Sequence, residues 1–307
     1  MMPKAKQLAQ LSDIDIRLLR VFRAVVEAGG LSSAELELNI GRSTISRHLK
    51  DLETRLGATL CRRGRAGFSL TDEGRSVYAA TLHLLSAIDQ FKGAVNDMHK
   101  QMRGNISIAL LDKMVTNPNC HIDKALRDFD DIAPDVTFEM YVEPLNEIEK
   151  GVMDGRFQLG IIPMHRTSSS LEYHHLFDER VSLYCGAHHP LFERSPAEIE
   201  GVDIMACKYA GLGYHSPNME TSTAHKLVRH STGYNQEAIA AMILSGRYLG
   251  YLPDHYAAPI AEEGRLKRLG GEEFQYDCDF SAIIRRSPKA SQIVATFLEC
   301  LVNAHPA

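Results

Sequence analysis

The sequence predicts an α+β chain in two parts: a small helical head carrying a β-hairpin, and a larger two-lobed α/β body, joined by one long helix. Three observations carry this. Apolar residues recur at helical spacing up to Leu56, an unbroken a/d spacing runs from Val77 to Met102, and strand-like and helix-like segments alternate from Gly104 onward. The chain has 307 residues, 44% of them hydrophobic and 24% charged. That is the balance of a folded globular protein, and the length accommodates two or three domains. The expected division is 1–70, 71–103 and 104–307, with the lobes of the body at about 104–163 plus 274–307 and at about 164–273.

The first helix is expected over Ile16–Ala28, where Ile16, Leu19, Phe22, Val25 and Val26 fall on one side, and Gly29-Gly30 ends it. Ser32 and Ser33 are suited to cap a short second helix reaching Leu38. Asn39-Ile40-Gly41 then supplies a tight turn, and a third helix runs from Arg42 or Ser43 to Leu56, stopped by Gly57. Two helices joined by a short Gly-containing turn make the helix-turn-helix plan. At about 100° per residue, Ile45, Leu49, Leu52 and Leu56 share one arc of the third helix. Ser43, Arg47, Lys50 and Thr54 lie opposite. Small hydroxyls beside cations suit a helix in a DNA major groove, where Arg and Lys reach phosphates or guanine edges.

Thr59–Leu70 reads as a hairpin whose tip holds Arg62, Arg63 and Arg65, placed to lie along DNA backbone or a neighbouring minor groove. Thr71-Asp72-Glu73-Gly74 opens the longest helix, about 48 Å for residues 71–102 at 1.5 Å per residue. Val77, Thr81, Leu84, Ile88, Phe91, Val95, Met98 and Met102 form its seam, with polar Gln90, Lys92, Asn96, Asp97 and Lys100 around them. So narrow a stripe calls for a partner helix, and a coiled-coil homodimer is the expected use.

Charge divides the same way. The net formal charge of −5 hides 12 Lys and Arg against 7 Asp and Glu in residues 1–70, and 22 against 32 in the rest. A +5 head on a −10 body points to a polyanion partner for the head alone.

In the body, Gly104–Leu111, Val136–Val142 and Leu159–Pro163 read as strands, with helices at Cys120–Ile132 and Leu145–Met153 between them. This spacing implies parallel βαβ units. A second set is expected at Arg180–Gly186, Asp203–Tyr209 and Tyr248–Leu252 for strands, and at Glu220–His230, Glu237–Ser245 and Ser291–Val302 for helices. The chain should cross between lobes near Pro163 and return near Phe274–Arg286.

Residues 18–79, with S-T-I-S-R-H-L-K-D-L-E-T-R-L-G-A-T-L-C-R-R at 43–63 and L-T-D-E-G at 70–74, resemble the N-terminal domain of the LysR-type transcriptional regulators. The body resembles that family's periplasmic-binding-protein-like effector domain in pattern order and in fragments such as 188–191 and 238–253. The resemblance implies a winged helix-turn-helix that contacts double-stranded DNA, adding Ser32, Arg42, Thr44 and Ser46 to the contact residues read above. It implies an interrupted palindromic operator, homodimers paired into homotetramers, a small-molecule effector in the interlobe cleft, and RNA polymerase as a candidate partner. Departures from the pattern are Cys61 in place of the usual Phe, and Gly41-Arg42 where a Gln usually precedes the recognition helix.

Ligands in two-lobed α/β domains sit beyond the carboxyl ends of strands and at helix N-termini. Those places are Lys113, Thr116 and Asn117 after the first strand, His165 and Arg166 after the crossing strand, and His215 and Ser216 before a helix, loops the family also tends to use. Lys113 and Arg166 favour a small anionic or amino-acid-like effector.

No G-x-S-x-G or P-loop occurs, and Gly211-Leu212-Gly213 lacks a third glycine and is expected to be loop. His174-His175 and His188-His189 point to opposite strand faces, so no metal or other cofactor is expected. Six cysteines without a C-x-x-C, no secretory leader and no span near 20 apolar residues suggest a cytoplasmic protein off the membrane. The rivals are a binding-protein-like enzyme, for which the sequence offers no catalytic constellation, and a redox-responsive regulator using Cys185 and Cys207.

Overall fold

A computed structural model describes residues 11–64, 67–98, 102–195, 198–199 and 201–306. The chain forms two compact units that part between Lys92 and Gly93.

The head consists of α1 (Asp13–Glu27), α2 (Leu31–Leu38), α3 (Arg42–Leu56), a hairpin of β1 (Cys61–Gly64) and β2 (Gly67–Leu70), and the start of α4 (Asp72–Met98). Its core is Leu18, Phe22, Val25, Ala34, Ile45, Leu49, Leu52 and Leu60, all buried. Helix α2 begins one residue before Ser32, with Gly30 rather than a serine at its cap, so Ser32 and Ser33 lie exposed in its first turn. Asn39 and Gly57 take the left-handed conformation that ends α2 and α3. Helix α3 has Gly41 at its cap, and the Glu35 carboxylate of α2 accepts the Arg42 N–H in place of a capping side chain.

Two residues lock the hairpin. Glu53 on α3 accepts the Leu60 N–H at 2.9 Å, and Thr71 donates to the Thr59 carbonyl at 2.6 Å while capping the Gly74 N–H at 2.9 Å. Gly74 packs so tightly that a Cβ there would stand 1.9 Å from the Leu60 carbonyl oxygen. That close approach accounts for the glycine in L-T-D-E-G.

In the body, β3 (Gly104–Leu110) pairs in parallel with β4 (Val136–Val142) and β5 (Leu159–Pro163), with α5 (Ile122–Ile132) and α6 (Leu145–Asp154) as crossovers. Next come β6 (Leu171–Gly186), α7 (Gly201–Met205), β7 (Tyr209–Leu212), α8 (Pro217–Ala224), β8 (Arg229–Gly233), α9 (Gln236–Leu244) and β9 (Gly250–Pro253). The chain ends in α10 (Asp254–Glu262), β10 (Leu266–Arg268), β11 (Gln275–Arg285) and α11 (Gln292–Ala304). One seven-stranded sheet runs in the order β10-β6-β11-β5-β3-β4, with β9 also on β6, and β7 pairs in parallel with β8.

Side chains alternate across this sheet. Ile106, Ile108, Phe280, Ala282 and Leu183 join one core with Phe129 of α5 and Phe297 of α11, whereas Ala109, Ile162, Ile283 and Tyr184 join a second core with Ile148 of α6 and Ile239 of α9. Burial on both faces explains why these strands read as continuous apolar runs.

After Pro163, near which the crossing between lobes is expected, the chain runs into the 16-residue β6. Its residues 171–175 pair with 281–285 of β11, a bulge follows at Phe280/Ser281, and 178–186 continue into the second lobe. Several expectations are corrected. Asp203–Tyr209 is not a strand: α7 and a bend precede β7. Gly211-Leu212 belongs to β7 rather than to a loop, and Glu220–His230 splits into the end of α8 and β8. Helix α10 and strand β10 went unread. Met102, expected as the last seam residue, packs half-buried against the body's first core.

Candidate functional site

On α3, Ile45, Leu49 and Leu52 are buried, while Arg42, Ser43, Arg47, Lys50 and Thr54 are exposed on the other side. Thr44 and Ser46 are half-buried, and the Thr54 hydroxyl donates to the Lys50 carbonyl at 2.8 Å. Arg62 is exposed on β1, opposite Ser69 of β2, and Arg63 pairs with Phe68. Arg65 lies outside the described residues. Behind the exposed face of α3, an ion pair ties this helix to α1. Buried Asp15 on α1 accepts Arg55 Nη2 at 2.8 Å and the Ser12 N–H at 2.8 Å, and the Arg55 guanidinium holds its carboxyl well below the usual carboxylate range.

Along α4, Val77 and Leu84 pack half-buried on the head's own core, Thr81 is buried and Ile88 half-buried. Phe91 is 70% exposed and Val95 36%, so within one chain the seam is covered at its start and bare toward its end. The side chain of Met98 lies outside the described residues.

The second site is a cleft between the lobes of the body, with a cavity volume of about 40 Å³ open to the centres of water-sized spheres. Its walls are the loop after β3 (Leu111, Asp112), the crossing strands (Glu179, Tyr276, Cys278, Phe280) and the start of α8 and α9 (Ser216, Asn218, Gln236). Asp112 follows the end of β3 by two residues, and Lys113 beside it takes a left-handed conformation, φ +65°.

This loop is tied to the opposite lobe at three points. Asp112 accepts the Gln236 N–H at 2.8 Å, Lys113 pairs with Glu237, and Thr116 Oγ1 meets His255 Nδ1 at 2.8 Å. His255 Nε2 in turn lies 2.8 Å from Glu179 Oε2. Burial pushes the Glu179 and Asp112 carboxyls up, with His255 opposing the shift for Glu179 and the Gln236 N–H opposing it for Asp112.

Of the seven residues expected to hold the effector, Ser216 borders this cavity. Lys113 and Thr116 sit in the bridging contacts just described. Asn117 is buried and structural, donating to the Asp178 carbonyl at 3.3 Å and accepting the Asn119 N–H at 2.9 Å. Arg166 binds Glu149 at 2.8 Å. His165 has a fully buried side chain packed on His215, ring centroids 5.3 Å apart, and burial pushes its pKa down. Asp112, Glu179, Asn218 and Gln236 were missed. Asp112 had a legible signal, a carboxylate at the carboxyl end of the first strand of the body. Glu179 had none, because only the fold turns the middle of β6 into a cleft wall.

Among the described residues, no group of three or more His, Cys, Asp or Glu could hold a metal ion, and no helix is long and apolar enough to cross a membrane. Burial raises Cys185 to about 12 and also raises Cys207, which leaves both thiols weakly ionised.

Residues 16–75 match the family model described as "Bacterial regulatory helix-turn-helix protein, lysR family", and residues 99–306 match "LysR substrate binding domain". The "HTH-type transcriptional activator BauR" of Pseudomonas aeruginosa is 40% identical over 294 residues, 96% of each chain. Among solved structures, CbnR, "a LysR family transcriptional regulator", aligns at a TM-score of 0.62 with 20% identity, covering 95% of this chain and 99% of its own. Full-length CbnR "complexed with the target DNA complex" aligns at 0.61 with 20% identity, covering 94% and 99%. With matched models over both parts and a relative 40% identical along nearly its whole length, the chain belongs to the LysR family of ligand-responsive, DNA-binding transcriptional regulators.

Proposed function

We propose that the head reads its operator through α3, set in a major groove with Arg42, Ser43, Thr44, Ser46, Arg47, Lys50 and Thr54 toward the DNA. Ser32 on α2 and Arg62, Arg63 and Arg65 on the hairpin contact the flanking backbone. The observation that carries this is the split of α3 into a buried apolar face and an exposed hydroxyl-and-cation face. It is supported by the name of the structural neighbour solved with its target DNA. Pairing along the bare half of α4 would set two heads on the half-sites of an interrupted palindrome. A small molecule between the lobes acts by population shift: it stabilises the lobe arrangement it binds best, and the Asp112, Lys113 and Thr116 contacts already hold one such arrangement.

A footprint on DNA beside the chain's own gene tests this. Two protected half-sites, centred about one helical turn or a multiple apart, are expected. Protection without sequence preference would reduce the head to a non-specific binder. A redox-responsive reading has no comparable support, since burial holds Cys185 and Cys207 away from the thiolate.

A further inference from the structure

We propose that the effector carries a protonated amine, seated in the interlobe cleft against the carboxyl group of Asp112. This rests on the cleft being the effector site and specifies what it selects. The charged groups lining the cavity are two carboxylates, Asp112 and Glu179, and no Lys, Arg or His is among its described lining residues.

The cations nearest in sequence to the cleft loops are already engaged: Lys113 with Glu237, and Arg166 with Glu149. Glu179 has His255 as a partner on its far side. Asp112 accepts hydrogen bonds from backbone alone, the Gln236 N–H being one; the neighbouring Lys113 favours its charge but is paired with Glu237, and Glu179 opposes it, so no cation inside the cleft pairs with it.

A second observation points the same way. Gln236 lines the same cavity, and its side-chain oxygen is buried with no hydrogen-bond donor among the described residues. Buried acceptors without donors are the complement of an ammonium group, which brings three N–H donors and one positive charge. An anion placed there meets two carboxylates and no cation among the lining residues. The anionic preference read from Lys113 and Arg166 therefore does not carry over to the cavity itself. Leu111, Val181, Leu212 and Phe280 supply apolar wall for a short aliphatic chain.

The test uses the full-length protein with three probes of equal chain length: butan-1-amine, 4-aminobutanoate and butanoate. Calorimetric titration at neutral pH should show binding of at least one amine and none of butanoate. Asp112→Asn keeps the shape and an acceptor for the Gln236 N–H, and should weaken the amine at least about tenfold. Its circular-dichroism melt should match wild type. Binding of butanoate as tight as the amines, wild-type amine affinity in Asp112→Asn, or no binding of either amine at millimolar concentration overturns the proposal. Ser216→Phe, which fills the cleft, separates the two layers. Butanoate binding lost in Ser216→Phe would keep the cleft and discard the amine. Amine binding that survives in a folded Ser216→Phe would discard the cleft, and the proposal with it.

Discussion

Arg47 stands on the exposed side of α3 with Ile45 and Leu49 buried behind it, so its guanidinium is free to reach a base edge without disturbing the core. Arg47→Ala should weaken operator binding by about 1–3 kcal/mol and relax specificity at one base pair. If the contact is to phosphate, all DNA sequences weaken alike and the salt slope becomes shallower. Unchanged affinity for every DNA in a mobility-shift titration would remove Arg47 from the groove face.

Behind that face, Asp15 makes the opposite kind of contribution. Its folded-state pKa is depressed by Arg55 and Ser12. Its stabilisation is therefore complete above the ordinary carboxylate pKa of about 3.9 and is lost as pH falls below that toward the depressed value. Asp15→Asn should cost about 1–2 kcal/mol at pH 7, a modest figure because the Arg55 side chain is 40% exposed. In guanidinium unfolding the gap to wild type should narrow at pH 3; a gap independent of pH would show that the carboxylate charge is not what stabilises the head.

At the scale of elements, the base of the hairpin is positioned by hydrogen bonds between side chains outside its tip and the backbone. Glu53 and Thr71 hold its base, and Gly74 admits the Leu60 carbonyl against the start of α4. Charge can therefore be changed at the tip without unmaking the element. Replacing Arg62, Arg63 and Arg65 with Gln should reduce DNA affinity more at low salt than at high salt, because each lost phosphate contact removes counterion release. An unchanged log–log salt slope would mean that the hairpin points away from DNA.

For the whole molecule, the bare stretch of α4 is the surface proposed for assembly. Phe91 and Val95 are exposed in one chain, with half-buried Ile88 just before them. A charge placed at Ile88 against a partner helix would be stranded in an apolar interface, at a cost of several kcal/mol. Ile88→Glu should sediment as monomer and lose binding to a two-half-site operator, whereas Ala79→Glu, exposed on the opposite side of α4, should do neither. A well-folded Ile88→Glu dimer with intact DNA affinity would place the dimer contact elsewhere.

By itself the sequence determined the elements that rest on local periodicity and on turn chemistry. Helix α3 begins and ends where Arg42 and Gly57 place it, β4 and β5 fall within their expected bounds, and the buried and exposed sides of α3 follow its 3.6-residue repeat. These are short-range properties, set by each residue and its neighbours within a turn. Tertiary structure decided what depends on partners distant along the chain. The 16-residue β6 carries polar Glu172, His174, His175 and Asp178 between apolar runs, and its pairing with β11, then with β9 and β10, holds it as one strand. The same pairing, with α8 and α9 packed across from it, puts Glu179 beside Asp112 and Gln236 in one cavity. Lys113 and Arg166 look from the sequence like anion binders, yet Glu237 lies 124 residues from the first and Glu149 lies 17 from the second. A side chain's charge is written in the sequence, but its availability depends on which opposite charge the fold brings within hydrogen-bonding reach.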